Sequence, residues 1–420
     1  MKNVIVIIND IDPNIYLDGL ETTDYNIIVV YQKPVSEAME IKFTTCIEKN
    51  KNFEWIKVEK KEQLLDAAKL IATERTIHNI IAFAEDLIIP VEEIKHDFNM
   101  KNQYDEIKYI TNKYYQRSEV SKSAPELCGD FYLLNKENIL KIKEEFVFPG
   151  ILKPVSMAGS RMVKKIDSFK ELEKTFYYLS ENKFFDTEFI IETYFEGSQW
   201  YENDNLELDN YVSVESIVSN GEITHITISS KPLLSFPFRE SGLVTCCPLN
   251  EVAKKKIYEA AEKVIKALNF KNGGTHIELK LTKYGPKLLE FNPRLGGPVP
   301  YLVQISSDYP IIRELVNSYF GKKILKFPGF YNVGAFFSFQ LETKSKSEII
   351  AINKDIPTFN DNYVKEGYIF KNIGDTIDPY GGTSVMLGFA YLIGESISEC
   401  FKHREKIIKE MGVRAIINEK

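Results

Sequence analysis

The sequence predicts a mixed α/β and α+β protein in three parts. A doubly wound α/β domain is expected over residues 1–110, a small α+β subdomain over 111–188 and a large antiparallel-sheet domain over 189–420. Three observations predict this order. Ile/Val-rich runs alternate with helical segments at the N-terminus, the chain turns polar near residue 111, and strands of alternating polarity dominate after residue 187.

The composition limits the classes of function. The chain has 420 residues, of which 44% are apolar and 27% charged, as is typical of globular proteins with a sizeable core. Its 53 basic and 60 acidic side chains give a net charge of −7, so a general nucleic-acid binder is not expected. No apolar run reaches the ~18–20 residues of a membrane span. Five scattered cysteines suggest neither a disulfide framework nor a C-x-x-C site, which predicts a reducing, cytoplasmic setting.

The N-terminal part has the pattern of an open parallel module. Val4–Ile8 and Asn26–Tyr31 are short, apolar and bounded by turn residues, as buried parallel strands are. Glu62–Ala72 carries an apolar stripe at helical spacing, and Asn79–Ala84 resembles the preceding strands. Together these elements predict the doubly wound domain.

The small subdomain is predicted from a polar helix, a strand and a second helix. Thr111–Ser121 is helical in pattern and is followed by a break at Ser123-Ala124-Pro125. Gly150–Pro154 is predicted as a strand end that leads into a Gly/Ser loop, and Ser168–Leu179 as a helix.

The large domain is predicted from period-2 alternation, with helices at Glu251–Leu268 and near Ile397–Lys409. Its expected strands are Phe189–Phe195, Tyr211–Val218, Glu222–Ser229, Thr275–Leu281 and Lys287–Asn292.

The last two of these strands are predicted to form a hairpin around a Gly-Pro turn. Because side chains alternate between the faces of a strand, one face of the hairpin is apolar and the other polar. The apolar face contains Ile277, Leu279, Leu281, Leu289 and Phe291. The polar face contains His276, Glu278, Lys280, Glu290, Asn292 and, if the chain stays extended, Arg294.

The expected register of the hairpin indicates a metal site. An odd-numbered loop centred on Tyr284 places Glu278 opposite Glu290, and like charges opposed on a sheet are destabilising unless a cation lies between them. Asn292 adds a neutral oxygen of the kind that Mg²⁺ sites use. Arg294 has the planar fork of donors that suits a phosphoryl or carboxylate oxygen. The alternative is a solvated face on which basic neighbours neutralise the two carboxylates.

Three weaker signals lie upstream. Lys153 is followed by a loop with Gly159 and Ser160, which could cradle phosphates or be an ordinary turn. Lys113 stands at a helix start, where a solvated surface lysine is the alternative. Ile190–Gly197 is an apolar strand that ends in a carboxylate and an exposed backbone, which could receive a purine.

These motifs, in this order, resemble those of the ATP-grasp superfamily over roughly residues 111–325. Within it the chain is most similar to carboxylate–amine ligases that join amino acids, on the segments Tyr211–Val218, Gly274–Lys280 and Glu290–Gly297. The resemblance implies an ATP-grasp fold whose small subdomain is a lid, with ATP and Mg²⁺ as cofactors. Two metal ions are expected, and Mn²⁺ is an alternative.

The resemblance also implies roles for matched residues. Glu278, Glu290 and Asn292 would bind the metal, with Arg294 at the reacting phosphate. The residues implied in nucleotide binding are Lys113 and Lys153 at the phosphates, Glu192 and the backbone of Phe195 at adenine, and Ser160, Gln199 and Lys280 elsewhere. The segment after the adenine strand departs from the family pattern, so Gln199, Glu196 or Glu202 could contact the ribose.

Substrate contacts are predicted at Glu215, Glu240 and Gly297. The two glutamates could instead contact ATP or be ordinary strand and loop carboxylates. His276 would orient the amine or the acyl phosphate, or simply pack. The expected activity is ATP-dependent amide formation between amino acids through an acyl phosphate. Another ATP-grasp ligase or carboxylase of purine, biotin or cell-wall metabolism, or a non-catalytic nucleotide-binding module, stays open. The resemblance favours a homodimer, while the net charge and the lack of a long apolar run predict no nucleic-acid or membrane partner.

Overall fold

Four β-sheets organise the described part of the chain. The computed structural model describes residues 1–9, 11–22, 24–157, 159–181, 187–201 and 207–417. Within them, no helix is both long and apolar enough to cross a membrane.

The N-terminal part is a parallel sheet with the strand order β3-β2-β1-β4. It comprises β1 (Lys2–Ile8), α1 (Pro13–Tyr16), β2 (Tyr25–Gln32), α2 (Glu37–Lys49), β3 (Glu54–Val58), α3 (Gln63–Glu74), β4 (Asn79–Ala82), α4 (Glu85–Asp97) and α5 (Tyr104–Ile107). The three predicted strands and the predicted helix are confirmed, and the strands pair in parallel. Helix α4 begins at the carboxyl end of β4, which brings its first residue, Glu85, to the edge where parallel α/β sheets place their ligands.

The small subdomain is built on an antiparallel sheet with the order β5-β8-β6-β7. Its elements are α6 (Lys113–Ser123), β5 (Phe131–Leu133), α7 (Ile139–Glu145), β6 (Gly150–Pro154), β7 (Lys164–Ile166), α8 (Phe169–Glu181) and β8 (Phe189–Thr193). The prediction that Phe189–Phe195 opens the large sheet is wrong, because β8 pairs with β5 and β6 instead. An apolar run indicates a strand but does not identify its neighbours.

The large sheet has eight strands in the order β13-β12-β9-β10-β11-β14-β18-β16. Its first half contains β9 (Leu208–Ser219), β10 (Glu222–Pro232), β11 (Gly242–Val244), α9 (Glu251–Ala267), β12 (Asn272–Thr282) and β13 (Gly285–Asn292). Helix α9 buries Ile257, Ala261 and Val264 in the same core as Ile277 and Phe291 of the hairpin. The opposite face of β9, β10, β12 and β13 is polar and lines a cavity.

The C-terminal part completes the large sheet and adds a three-stranded sheet with the order β17-β15-β19. It comprises α10 (Val299–Ser306), α11 (Ile311–Tyr319), β14 (Val333–Phe339), β15 (Ser347–Ala351), β16 (Val364–Ile369), β17 (Thr376–Ile377), β18 (Gly388–Gly394), α12 (Ile397–Met411) and β19 (Arg414–Ile417). The predicted closing helix is confirmed as α12. Only six residues separate β13 from helix α10, so the segment between them stays close to the polar face of the hairpin.

Candidate active site

A cavity of about 580 Å³ lies between the small sheet and the polar face of the large sheet. Of the described residues predicted for the site, Gln199, Glu215 and the alternative ribose candidate Glu196 are missing from its wall. Those that line it are Lys113, Lys153, Ser160, Glu192, Phe195, Glu240, His276, Glu278, Lys280, Glu290, Asn292, Arg294 and Gly297.

Lys113 joins the start of α6 to the hairpin. The side chain of Asn112 caps this helix by accepting a hydrogen bond from the backbone N–H of Tyr115. The Lys113 Nζ lies 2.7 Å from Oε1 of Glu290 and donates to the carbonyl of Met157 at 2.8 Å. The lysine is 5% exposed, so it is a fixed cation of the cavity wall and not a solvated surface lysine.

Lys153 and Glu192 form a buried ion pair with Arg117, which the sequence analysis did not identify. The Lys153 Nζ lies 2.5 Å from Oε1 of Glu192, and the Nε of Arg117 donates to Oε2 at 2.8 Å. Burial lowers the pKa of Lys153 to about 8, although Glu192 opposes that change. Burial also disfavours the charged carboxylate, but Arg117 and Lys153 outweigh it and lower the pKa of Glu192. Glu192 therefore positions two cations, and its predicted contact with adenine stays a prediction.

The loop after Lys153 adopts a backbone conformation unusual for residues with a side chain. Gly159, Ser160 and Met162 have φ values of 72°, 56° and 57°, all in the left-handed region. Gly159 and Ser160 both line the cavity. A Cβ added at Gly159 would meet no atom within 4 Å, so this side of the loop is open.

The hairpin register matches the prediction for a different structural reason. Glu278 does pair with Glu290, but the turn is the two-residue loop Lys283-Tyr284, and the offset comes from a bulge at Leu289. The bulge reverses which face is occupied by the residues between it and the turn. Leu288 is therefore buried in the core in place of the predicted Leu289. Leu289 lines the cavity instead, and its carbonyl accepts from Lys153 Nζ at 3.0 Å.

Each of the opposed glutamates has a cationic partner. Glu278 lies 3.5 Å from the Nζ of Lys231 and 3.2 Å from Nε2 of His276, while Glu290 is held by Lys113. Burial disfavours the charge of Glu278, but Lys231 and His276 outweigh it and hold its pKa well below its usual range. The like-charge repulsion expected from the register is therefore relieved in part by the protein's own cations.

The oxygen donors of the hairpin fit a divalent cation only in part. Glu278, Glu290 and Asn292 all line the cavity on one face, and hard cations prefer such oxygens. Among the described residues, no group of three or more His, Cys, Asp or Glu side chains is arranged to hold a metal. Two carboxylates and an amide would need further oxygens, which a bound phosphate can supply.

His276 bridges two carboxylates. Its Nδ1 lies 2.5 Å from Oε1 of Glu215, and the other oxygen of Glu215 accepts from the backbone N–H of Gly296 at 2.9 Å. Burial opposes protonation of His276, but Glu215 and Glu278 outweigh it and raise its pKa to about 9. Glu215 is fully buried, so it holds His276 and the Gly296 loop in place. The prediction that it contacts substrate is wrong.

Arg294 reaches the cavity from the segment after β13, and the N-terminal part anchors it. Its Nε and Nη2 donate to Oε2 of Glu85 at 3.0 and 2.6 Å. Tyr16, also from the N-terminal part, donates its hydroxyl to the carbonyl of Gly297 at 3.3 Å. The first residue of α4 and the short helix α1 thus complete one end of the site.

The fully buried Lys231 links the remaining polar residues of the large sheet. Its Nζ lies 2.8 Å from Oε1 of Glu240, which also accepts from the Tyr211 hydroxyl at 3.1 Å. Burial disfavours the charge of Lys231, but Glu240 and Glu278 outweigh it and keep its pKa above its ordinary value.

The predicted nucleotide contacts at Lys280, Gln199 and Phe195 have different surroundings. Lys280 pairs with Asp209 at 2.9 Å on the cavity wall. Gln199 lies off the wall and donates to the carbonyl of Tyr201 at 2.8 Å. Phe195 lies on the wall, with the Nζ of Lys287 5.7 Å from its ring centroid. Of the other ribose candidates, Glu196 is exposed and Glu202 lies outside the described residues.

Three functional candidates were missed because their partners are distant in sequence. Arg117 and Glu85 are paired with Glu192 and Arg294 by tertiary structure alone. Lys231 lies two residues beyond the predicted strand Glu222–Ser229, so alternation along that strand did not place it on the polar face.

Comparison with known proteins identifies one domain of the chain. Residues 146–300 match the model of the ATP-grasp domain. The chain is 36% identical to the alanine--anticapsin ligase of Bacillus subtilis strain 168 over 194 residues, covering 43% of this chain and 40% of that protein. It is 33% identical over 167 residues to the same-named ligase of Bacillus amyloliquefaciens, covering 37% and 34%. The match spans less than half the length of these relatives.

Solved structures with this fold match over nearly the whole chain. The L-amino acid ligase of Bacillus licheniformis superposes with a TM-score of 0.72 at 18% identity, covering 100% of this chain and 99% of that one. The N5-carboxyaminoimidazole synthetase of Staphylococcus aureus in complex with ADP gives 0.67 at 14% identity, covering 97% and 98%. At these identities the similarity shows the fold. Residues 146–300 therefore match an ATP-grasp domain, and the whole chain shares its fold with these solved ligase and synthetase structures.

Proposed function

We propose that the chain is an ATP-dependent carboxylate–amine ligase that forms an amide bond between amino acids and releases ADP and phosphate. One observation carries the proposal: a single cavity brings the buried Lys113 and Lys153 opposite Glu278, Asn292 and Arg294. The relatives named alanine--anticapsin ligase and L-amino acid ligase support this choice among ATP-grasp reactions.

The proposed reaction has two steps. A substrate carboxylate oxygen bonds to the γ-phosphorus of ATP while the bond from that phosphorus to the bridging oxygen breaks, which gives an acyl phosphate and ADP. An amine then attacks the acyl carbon, phosphate leaves, and the nitrogen loses a proton. Lys113 and Lys153 bind the nucleotide phosphates, and Arg294 stabilises the negative oxygens that develop in both steps.

Mg²⁺ belongs to the proposal as the partner of the nucleotide. Glu278, Glu290 and Asn292 would hold it, with phosphate oxygens completing its shell, and two ions are expected. When bound, the metal supplies charge neutralisation to the phosphates. Lys231 would stay paired with Glu240, and His276 with Glu215, while the metal is bound.

The substrate end of the cavity is proposed to lie near Glu240 and Gly297. Glu240 is a carboxylate at the wall that could receive a substrate ammonium, and Arg294 and Gly297 lie on the adjacent segment. The small subdomain, with the loop of residues 159–162 (the Gly159 loop), is proposed to exclude water from the acyl phosphate, which would otherwise hydrolyse. Action on free amino acids in the cytoplasm and a homodimeric state complete the proposal.

The decisive experiment measures products across pairs of amino acids with ATP and Mg²⁺. Amino-acid-dependent ADP and phosphate, with an amide product of matching mass, is the expected result. The surface variant Glu259→Gln should behave as wild type, since Glu259 lies on the exposed side of α9. AMP as the nucleotide product would exclude the acyl-phosphate route. Phosphate release that requires bicarbonate and no amine would identify a carboxylase instead.

A further inference from the structure

We propose that the loop Pro379–Thr383 is a latch that holds the Gly159 loop over the cavity, with Thr383 as a positioning residue. The inference rests on the proposed function and assigns a role to the C-terminal part of the chain, in which the sequence showed no independent motif.

The latch contacts the small subdomain through the backbone. The N–H of Thr383 donates to the carbonyl of Gly159 at 2.9 Å. Gly382 has a φ of +78°, and a Cβ at this position would lie 2.6 Å from Cγ of Arg161 and closer still to the Gly159 carbonyl. The two loops therefore touch at a point where only glycine fits.

The same loop contacts the substrate side of the large sheet. The Oγ1 of Thr383 accepts from the backbone N–H of Glu240 at 3.2 Å. The side-chain amide of Gln340 donates to the carbonyls of both Thr383 and Glu240, at 3.2 and 3.1 Å. Nearby, the ring of Tyr380 meets Phe236 edge-on with 5.9 Å between centroids.

The position of Thr383 is what makes these contacts functional and not only structural. It lines the cavity, between a loop of the small sheet and the segment that precedes β11. Gly159, Glu240 and Thr383 are distant in sequence, so the loop joins two walls that no strand pairing connects. Movement of the small subdomain to admit a nucleotide would break the Thr383–Gly159 hydrogen bond, and return would restore it. Closure would then affect the position of Glu240, where the substrate is proposed to bind, through its hydrogen bond to Thr383.

The expected consequence concerns water. If the latch holds the Gly159 loop during the lifetime of the acyl phosphate, its loss admits water and uncouples phosphate release from amide formation. Thr383→Val removes the acceptor for Glu240 and keeps the backbone contact, whereas Gly382→Ala separates the two loops. Gly374→Ala is the matched control, because Gly374 has a φ of +91° in the same C-terminal part, yet its Cβ would meet nothing within 4 Å.

Two measurements test the latch. Hydrogen exchange in the full chain, without nucleotide, should be about fivefold to tenfold faster at Thr383 in Gly382→Ala than in wild type, because the Thr383 N–H donates the lost hydrogen bond. Exchange at residues 159–161 should also be faster, because the carbonyl of Gly159 accepts that bond and the loop is no longer held by it. Gly374→Ala should leave exchange at these residues unchanged. The phosphate released per amide formed should be near one in wild type and should rise in Gly382→Ala and Thr383→Val, while Thr383→Ser restores it. A merely destabilised variant would lose rate without changing this ratio.

The outcomes separate the two hypotheses. Equal exchange at residues 159–161 in the Gly382→Ala and Gly374→Ala variants would overturn the latch and leave the proposed function standing. An unchanged ratio of phosphate to amide in both latch variants would overturn its role in excluding water. A wild-type protein that releases no phosphate with any amino-acid pair would overturn the proposed function and the protective role together.

Discussion

Arg294 donates two hydrogen bonds to a single carboxylate oxygen of Glu85, from Nε at 3.0 Å and from Nη2 at 2.6 Å. Glu85 is the first residue of α4, so the N-terminal part of the chain orients a residue of the candidate active site. Because this contact fixes the guanidinium in one direction, Glu85→Gln should lower kcat by roughly ten- to a hundredfold through misplacement of Arg294. The melting temperature should change little. A kcat equal to wild type would show that Arg294 is oriented without Glu85.

Replacing Arg294 itself should strongly reduce turnover and spare nucleotide binding. The guanidinium is proposed to stabilise charge that develops only during the reaction, so Arg294→Ala should cost about 10²–10³-fold in kcat. The affinity for ATP, measured by calorimetry, should stay within a few-fold because Lys113 and Lys153 remain. Arg294→Lys tests the geometry, since a lysine lacks the planar fork of donors. Unchanged turnover in Arg294→Ala would contradict the role proposed for the segment after the hairpin.

The opposed pair Glu278 and Glu290 should govern the requirement for Mg²⁺. Removing one carboxylate lowers the negative charge available to the cation, so Glu278→Gln and Glu290→Gln should raise the Mg²⁺ concentration for half-maximal rate by roughly 10–100-fold. The exposed Glu259→Gln is the control. A rate that depends on Mg²⁺ as in wild type in both hairpin variants would favour a solvated hairpin face over a metal site.

Alternation along β12 and β13 predicts most of the site, because the period of a strand decides which side chains share a face. The shared face of Glu278, Glu290 and Asn292 follows from it, but the bulge at Leu289 that sets the pairing of Glu278 with Glu290 does not, since nothing in the local pattern distinguishes Leu289 from Leu288. Leu289 was therefore predicted on the wrong face.

The rest of the site depends on contacts between segments distant in the chain. Glu192 was assigned to adenine because its strand ends there, yet Arg117 and Lys153 occupy its carboxylate. Strand β8 was assigned to the wrong sheet for the same reason. Local sequence carries propensity and burial, while the choice of neighbour is made by packing.

Glu192 is expected to matter for stability as much as for binding. Its replacement by Gln leaves Lys153 and Arg117 buried without a counter-charge, and breaking a buried ion pair in this way costs about 3–5 kcal/mol. The free energy of unfolding, measured with denaturant, should fall by that amount. Glu196→Gln, four residues on and exposed, should stay within about 0.5 kcal/mol of wild type. An equal, small effect of both substitutions would contradict the contribution of this buried ion pair to stability.

Lys153 should make nucleotide binding sensitive to pH. Burial lowers its pKa to about 8 from an ordinary value of 10.5, so the free protein loses this charge as the pH rises through 8. A bound phosphate favours the charged form, and ADP must therefore bring a proton with it above pH 8. By linkage, the Kd for ADP should rise about fivefold between pH 8 and pH 9 and change little between pH 6 and pH 7.

The sign for stability is opposite to that for binding. Between the folded pKa near 8 and the ordinary value of 10.5, the unfolded chain binds the extra proton, so Lys153 makes the folded state more stable as the pH rises. Weaker ADP binding in this window therefore cannot be attributed to unfolding caused by Lys153. Lys153→Arg provides the control, because a guanidinium stays charged throughout and should flatten the dependence of Kd on pH. A wild-type Kd that is constant from pH 7 to pH 9, or a Lys153→Arg variant with the same profile as wild type, would show that Lys153 keeps its proton in the free protein.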